Sequence, residues 1–467
     1  MLAVPLLALG LGGCIVQLPG SLEGGEEETS EGGEGSEGST EPSTTNTSDA
    51  STGAESDTDP DTEGESDTEG DTGGEVGIDG DGCQERLDVL VVVDNSGSMG
   101  VLQRRLAESV GALLGPLDDA GVDWRLGITT TDVGNPWCPT GQTTPESGQL
   151  QLESCNEHLV DFTFNSGQVD VSDSACTDIC PYAPGKLVTS ATSTDVDPNP
   201  APRPWIERID GVSNLPGDVD PGIAALCLVP QGINGCGFEQ PLEASRRALT
   251  RALTPGDPQY GFMREDASLL VIIVSDEVDC SHNPEREEIF SADGNKVFWS
   301  DPTSAFPSSA VCWNAGVRCV GDPSGYDSCV AQDYDLEGQL SDSTEAVLWS
   351  IDSYRAELEA LEQAKRAIDP GADVGLLVLG GVGFGGEVLY AEVGDSDPGH
   401  QQSFGIGPGC IAPEPLAESG EISALPLVRM RELAEGMSSE GIGSVCAPNF
   451  SEPFAAALER TIGQCEG

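Results

Sequence analysis

Leu87-Asp88-Val89-Leu90-Val91-Val92-Val93, followed at once by Asp94-Asn95-Ser96-Gly97-Ser98-Met99, decides the fold of this chain. The first seven residues are a near-continuous apolar and β-branched run, the pattern of a strand covered on both faces. The next six place a carboxylate and two hydroxyls at two-residue spacing in one tight loop. Val101 to Leu114 then carries apolar residues at helical spacing, at Leu102, Leu106, Val110, Leu113 and Leu114. Strand, loop and helix in that order predict a parallel sheet, whose ligands bind outside the carboxyl ends of its strands.

The alternation continues along the chain. Trp124 to Thr129 reads as a second strand, and Leu269 to Val274 and Val374 to Leu379 as further buried strands. Pro241 to Leu253, most of Thr344 to Ile368, Leu427 to Met437 and Glu452 to Ile462 read as helices. The expected fold of residues 83–467 is therefore α/β, a doubly wound and mostly parallel sheet with helices on both faces. Two stretches, about 133–235 and 281–340, are too long and too rich in Pro, Gly and Cys for plain connections. They are expected to be disulfide-pinned loops inserted after strand ends, on the face that carries residues 94–99, where a scaffold protein places recognition.

Asp94, Ser96 and Ser98 converge from one loop on a single point, and a second carboxylate, Asp276, ends the Leu269–Val274 strand in Val274-Ser275-Asp276-Glu277. Hard oxygen donors of this kind suit Mg²⁺, Mn²⁺ or Ca²⁺. The pair of signals resembles the von Willebrand factor type A domain. There, Asp-x-Ser-x-Ser after the first strand and an Asp after the fourth form a metal-ion-dependent adhesion site. The resemblance covers most of 83–467. It implies a Rossmann-like fold, a bound divalent ion with one open coordination position, and a protein or glycan partner whose acidic group completes it.

The chain departs from that family at the fifth ligand, usually a Thr about 30–40 residues before the second Asp. Here the place reads Gly235-Cys236-Gly237-Phe238-Glu239-Gln240, without a Thr. Four solutions stay open: the carboxylate of Glu239, a hydroxyl from Thr129-Thr130-Thr131-Asp132 (Thr130 or Thr131), a water, or a weakened site. The plain reading of the 94–98 loop is a helix N-cap. Ser96 as a hydrolase nucleophile lacks the Gly-x-Ser-x-Gly elbow, because Asp94 occupies its first position. Gly381-Val382-Gly383-Phe384-Gly385-Gly386 matches a dinucleotide fingerprint only formally. An extended-looking Glu387-Val388-Leu389-Tyr390 follows where a helix must open, so a flexible loop is expected.

Composition narrows the partners. Among 467 residues, 81 are acidic and 20 basic, a net charge of −61, which repels the phosphates of nucleic acids. There is no apolar stretch of about 18 residues that would cross a membrane as a helix. Of 15 Cys, 14 lie between Cys83 and Cys465, enough for seven pairs beside only three His. A disulfide framework in an oxidising compartment accounts for them better than zinc, even at Cys176-x3-Cys180. Proximity along the chain favours Cys176–Cys180, and either Cys319–Cys329 or Cys312–Cys319.

The odd cysteine is Cys14. Met1 to Leu11 is a short apolar run, and Leu11-Gly12-Gly13-Cys14 resembles the lipobox of bacterial lipoproteins, though without a basic start. This implies a signal peptide over 1–13, diacylglycerol on Cys14 and a lipid-anchored N-terminus over 14–20. Ile15 favours the outer membrane or cell surface. Residues 21–82 hold 21 Asp or Glu and no Lys or Arg among Gly, Ser and Thr, the composition of a disordered, self-repelling stalk. Asp71-Thr72-Gly73 inside it matches the aspartic-protease triplet by chance. The expectation is thus a lipid-anchored surface protein that binds a partner through a divalent ion and is not an enzyme. A structural envelope component with an empty metal site, or a metal-dependent hydrolase in the same pocket, are the other readings.

The anchor is directly testable. Cys14→Ser should move the protein from the membrane pellet to the soluble fraction, because only the acyl chains would hold it. A mutant that still pellets would refute the lipobox reading.

Overall fold

The computed structural model describes residues 83–138, 143–164, 167–417 and 419–463. The expected lipobox and the acidic tract 21–82 lie outside the described residues. Seven strands form the main sheet: β1 (Arg86–Val93), β2 (Asp123–Thr130), β3 (Ile206–Ile209), β4 (Val212–Ser213), β5 (Ser268–Val274), β6 (Val374–Gly380) and β7 (Ser439–Ser444). Their order across the sheet is β7-β6-β5-β1-β2-β3-β4. The pairings from β7 through β2 are all parallel, and the β3–β4 hairpin adds an antiparallel edge beside β2.

Among the described residues eight α-helices accompany the sheet: α1 (Gly100–Ala120), α2 (Pro221–Leu228), α3 (Pro241–Leu253), α4 (Ala310–Gly316), α5 (Ile351–Arg366), α6 (Pro398–Phe404), α7 (Val428–Ala434) and α8 (Ser451–Ile462). Because side chains alternate along a strand, β1 feeds two separate cores. Leu87, Val89, Val91 and Val93 pack with α1, α2 and α8 on one face. Leu90 and Val92 pack with α3, α5 and α7 on the other. The chain is therefore mixed α/β, with a large, mostly parallel sheet covered on both faces, as expected. Burying a Val or Leu side chain is worth about 1.5–3 kcal/mol, so the buried run of β1 is firmly held.

Several boundaries differ from expectation. Helix α5 starts at Ile351, after an extended Ser350, whereas the sequence reading began it at Thr344. Residues 344–350 instead form turns and a bridge between Leu348 and His282. Strands β3 and β7 were not foreseen. The Ser-Glu-Gly-Ile-Gly-Ser sequence of β7 has no apolar run, yet a Cβ on Gly441 or Gly443 would lie 2.9 or 2.6 Å from Leu377 or Leu379 of β6. Glycine there lets the edge strand close on a bulky neighbour.

Six disulfides join described residues: Cys138–Cys236, Cys155–Cys176, Cys180–Cys227, Cys280–Cys312, Cys319–Cys329 and Cys410–Cys446. Cys83 is disulfide-bonded as well. The local pair Cys319–Cys329 is the expected one, across an antiparallel hairpin, which removes Cys312–Cys319. The expected Cys176–Cys180 pair is wrong. Cys176 sits in a π-helical turn over 173–177 and reaches Cys155, while Cys180 reaches Cys227 on α2. With both sulfurs used, no zinc site exists at this pair. After unfolding without reductant, the mature chain should show no titratable thiol at any of these cysteines. Several reactive thiols would overturn the disulfide framework.

Candidate functional site

The five parallel strands place β1 and β5 at the point where the strand order reverses, since the chain runs from β1 outward to β2 and from β5 outward to β6 and β7. The crevice outside such a point is where open α/β sheets bind ligands. The strands end level there. Val93 is in register with Thr130 of β2 and with Val274 of β5. Asp94, Thr131 and Ser275 thus stand side by side, with Asp94 N donating to Val274 O at 3.0 Å and Thr131 N to Val93 O at 3.1 Å.

The loop after β1 is held tightly. Asp94 is 0% exposed, its Oδ1 accepting from Ser96 N at 2.8 Å and its Oδ2 from the Ser275 hydroxyl at 2.5 Å. Ser96 Oγ and Ser98 Oγ are 3.3 Å apart, Ser96 buried and Ser98 exposed. The buried Gln103 of α1 clamps the loop from below, donating to Asp94 O at 2.8 Å and Gly232 O at 2.7 Å. Asp276, 6% exposed, accepts from the Ser98 hydroxyl, but its Oδ1 has no partner. The structure therefore brings Asp94, Ser96, Ser98 and Asp276 to one place. Sequence reasoning passed over Ser275 and Gln103, whose roles depend on contacts between distant segments.

The low-ranked candidates separate. Thr130 Oγ1 donates to Glu146 Oε2. Thr131 Oγ1 donates to Glu239 Oε2. Glu239 is 0% exposed and its Oε1 has no partner. Its segment is fixed between strand ends by Gln240 N to Thr131 O at 3.1 Å and Cys280 N to Glu239 O at 2.7 Å.

Several buried carboxylates outside the site have an arginine. Asp88 pairs with Arg264, Glu207 with Arg125 and Asp279 with Arg429, each Nε to O distance being 2.9 Å. At the site the charged neighbours are other carboxylates. Burial pushes the Asp94 carboxyl up, against hydrogen bonds from Ser275 and Ser96 that hold it down. Burial and then the charge of Asp94 push Asp276 up to about 8. Glu239 is raised well above its ordinary value by burial, Asp94 and Glu277, and the partly exposed Glu277 by burial, Asp94 and Asp276. Uncompensated charge in a low-dielectric site either takes up protons or attracts a cation.

Both insertions reach this end of the sheet, as expected. The Phe164 ring lies against Gly97, where a Cβ would sit 3.2 Å from it. Ser309 comes beside Glu277, its hydroxyl donating to Gly237 O at 3.2 Å. Two disulfides tie the insertions to the site: Cys236, three residues before Glu239, to Cys138, and Cys280, four residues after Asp276, to Cys312. Above them a separate small core forms from Phe238, Val278, Phe290, Trp299 and Trp313. The Gly381–Gly386 fingerprint is a loop in which Gly385 N donates to Glu387 Oε2 at 2.8 Å. The next helical turn, a 3-10 turn, starts only at Gly394, so among the described residues no helix N-terminus opens at this loop for a pyrophosphate.

Among the described residues, no three Asp, Glu, His or Cys side chains group as a ready-made metal cage. The candidate donors are two carboxylates and two hydroxyls, with further carboxylates beside them. These fit a hard cation by chemistry: oxygen donors, unpartnered Oδ1 and Oε1 atoms, and unbalanced negative charge.

The electrostatics predict a pH dependence. The folded pKa of Asp276, about 8, lies above its ordinary 3.8, so the folded state binds the extra proton. The associated stability is fully present below about pH 4 and lost as pH rises through about 8. In chelator, Asp276→Asn should melt above wild type at pH 9, and the gap should shrink toward pH 5. A gap independent of pH would refute the buried-charge account.

No protein-family model matches the chain, and no curated protein matches it.

Proposed function

We propose that residues 83–467 form a von Willebrand factor type A-like domain that binds a protein or glycan partner through a divalent cation, Mg²⁺, Mn²⁺ or Ca²⁺. The observation that carries this reading is the cluster of buried carboxylates without a counter-charge at the carboxyl ends of β1 and β5. The motif order supports it: Asp94, Ser96 and Ser98 follow the first strand. Asp276 follows the fourth strand when the β3–β4 hairpin is counted as one.

Each residue has a part in this reading. Asp94, fixed by Ser275 and the Ser96 amide, supplies the central carboxylate. Ser96 and Ser98 supply hydroxyls, and Asp276 supplies its unpartnered Oδ1, directly or through water. A bound divalent cation would supply an open coordination position for an oxygen of the partner. Exposed Ser98 and partly exposed Gly97 leave access from solvent, while Phe164 and Ser309 bring the two insertions to the rim. In the same reading Cys14 carries the lipid anchor at the bacterial outer membrane or cell surface.

A cation that binds only the folded state stabilises it by about 2.7 kcal/mol at a hundredfold excess over Kd. Mg²⁺ or Mn²⁺ should therefore raise the melting temperature of the full chain. Asp94→Ala should abolish most of the rise, and Asp276→Ala should reduce it less. The mutant is the control because general screening also stabilises so acidic a protein. Equal rises in wild type and Asp94→Ala would leave only screening, and the structural reading would replace this one.

A further inference from the structure

We propose that a cleft between α3 and α5 binds a single-chain amphiphile with a carboxylate head, a medium-chain fatty acid. The inference stands apart from the carboxylate cluster and does not use the cation reading. The cleft has a volume of about 290 Å³ and runs along α3 from Leu242 to Leu253. At a rise of 1.5 Å per residue, 242 to 253 spans roughly 16 Å. Leu249 and Leu253 of α3 line one wall, Leu358 and Leu361 of α5 the other, and Val271 and Ile273 of β5 the floor. The apolar stripe of a surface helix normally faces the core. Here Leu358 and Leu361 stay half-buried and Leu253 is 55% exposed, so the walls are left open.

The cleft joins a second, wider recess of about 550 Å³, and the two share Arg246, Thr250 and Glu357. Arg247 and Arg251 line the recess as well. Three arginines thus meet within six residues of α3, on a chain with only 20 basic residues among 467. Their acidic partners do not use them up. Buried Glu243 serves two of them, Arg246 at 2.5 Å and Arg247 at 2.8 Å. Exposed Glu357 stands 3.7 Å from Arg246, beyond hydrogen-bond length. Arg251 pairs with Asp257 at 2.8 Å, yet its buried Nε has no acceptor among the described residues. Arg246 is held at the junction by the rings of Trp349 and Tyr354, 4.6 and 5.3 Å from their centroids.

These features select the ligand. An apolar cavity of roughly 150 Å³ already stays dry and takes up a hydrophobic molecule. This cleft is larger and follows the length of a helix, which suits an extended alkyl chain. A guanidinium binds a carboxylate through a planar fork of two hydrogen bonds. The head therefore belongs beside Arg246, where the apolar walls end and the charged recess begins. A cationic head would meet three arginines and be repelled at close range. The chain as a whole, at net charge −61, repels anions, so the local arginines decide where one can settle.

The test uses the full chain in chelator, so its outcome does not depend on a bound cation. Calorimetric titration with decanoate should show one molecule bound per chain, at least tenfold tighter than decanol. Arg246→Gln should bring decanoate down to the level of decanol and leave decanol itself unchanged, and Arg251→Gln should weaken decanoate in the same direction. Thr250→Trp, at an exposed position shared by the two recesses, should abolish binding of both ligands. If that variant fails to fold, Leu361→Trp fills the cleft from α5 and should do the same. No binding of decanoate to wild type would overturn the site. Equal affinity for decanol, or tighter binding of decylammonium, would overturn the role of the arginines. Unchanged decanoate binding in Thr250→Trp or in Leu361→Trp would put the ligand elsewhere and overturn the cleft.

Discussion

Strand β1 has a parallel neighbour on each side and a helix layer over each face, so the rest of the molecule is arranged around its two ends. At the amino end, buried Asp88 is neutralised by Arg264, whose guanidinium also reaches Leu87 O and Asp123 O at 3.0 Å. At the carboxyl end, Asp94 meets Asp276, Glu239 and Glu277 with no arginine. One end closes the fold, and the other carries unbalanced charge. Breaking a buried pair such as Asp88–Arg264 typically costs about 3–5 kcal/mol, which shows how far the carboxyl end departs from a design for stability alone. Local rules of stability are most often broken at functional sites.

Much of this was legible in the sequence, for identifiable reasons. The strands at 86–93, 268–274 and 374–380 are buried on both faces, and continuous apolar runs mark such strands without ambiguity. Helix α3 was read to the residue because Pro241 opens it and its apolar face is regular. Asp94, Ser96, Ser98 and Asp276 were legible because each directly follows one of these strands. Their convergence needed only the parallel topology that the strand pattern implies.

What could not be read has a physical cause as well. Strand β3 is a four-residue strand set by its pairing with β2 and β4, and in the edge strand β7 glycine replaces the apolar signal. The partners of Cys176 and Cys180 depend on which way each side chain leaves a single helical turn, and spacing alone does not carry that direction. Four solutions for the fifth donor looked equal along the chain. Hydrogen bonding gives the two threonines of one solution different partners, Glu146 for Thr130 and Glu239 for Thr131.

Two of the disulfides have a consequence for when the site exists. Cys138–Cys236 closes a 98-residue separation next to Glu239, and Cys280–Cys312 a 32-residue separation next to Asp276. Closing a loop of 100 residues removes chain entropy worth roughly 4.7 kcal/mol in the loop-entropy description. Two segments that repel each other electrostatically are thus held against that repulsion by covalent bonds. A newly made chain with free thiols has no such restraint, and its carboxylates are free to move apart. Pairing of these four thiols therefore adds a covalent restraint to two acidic segments that packing and hydrogen bonds would otherwise hold alone.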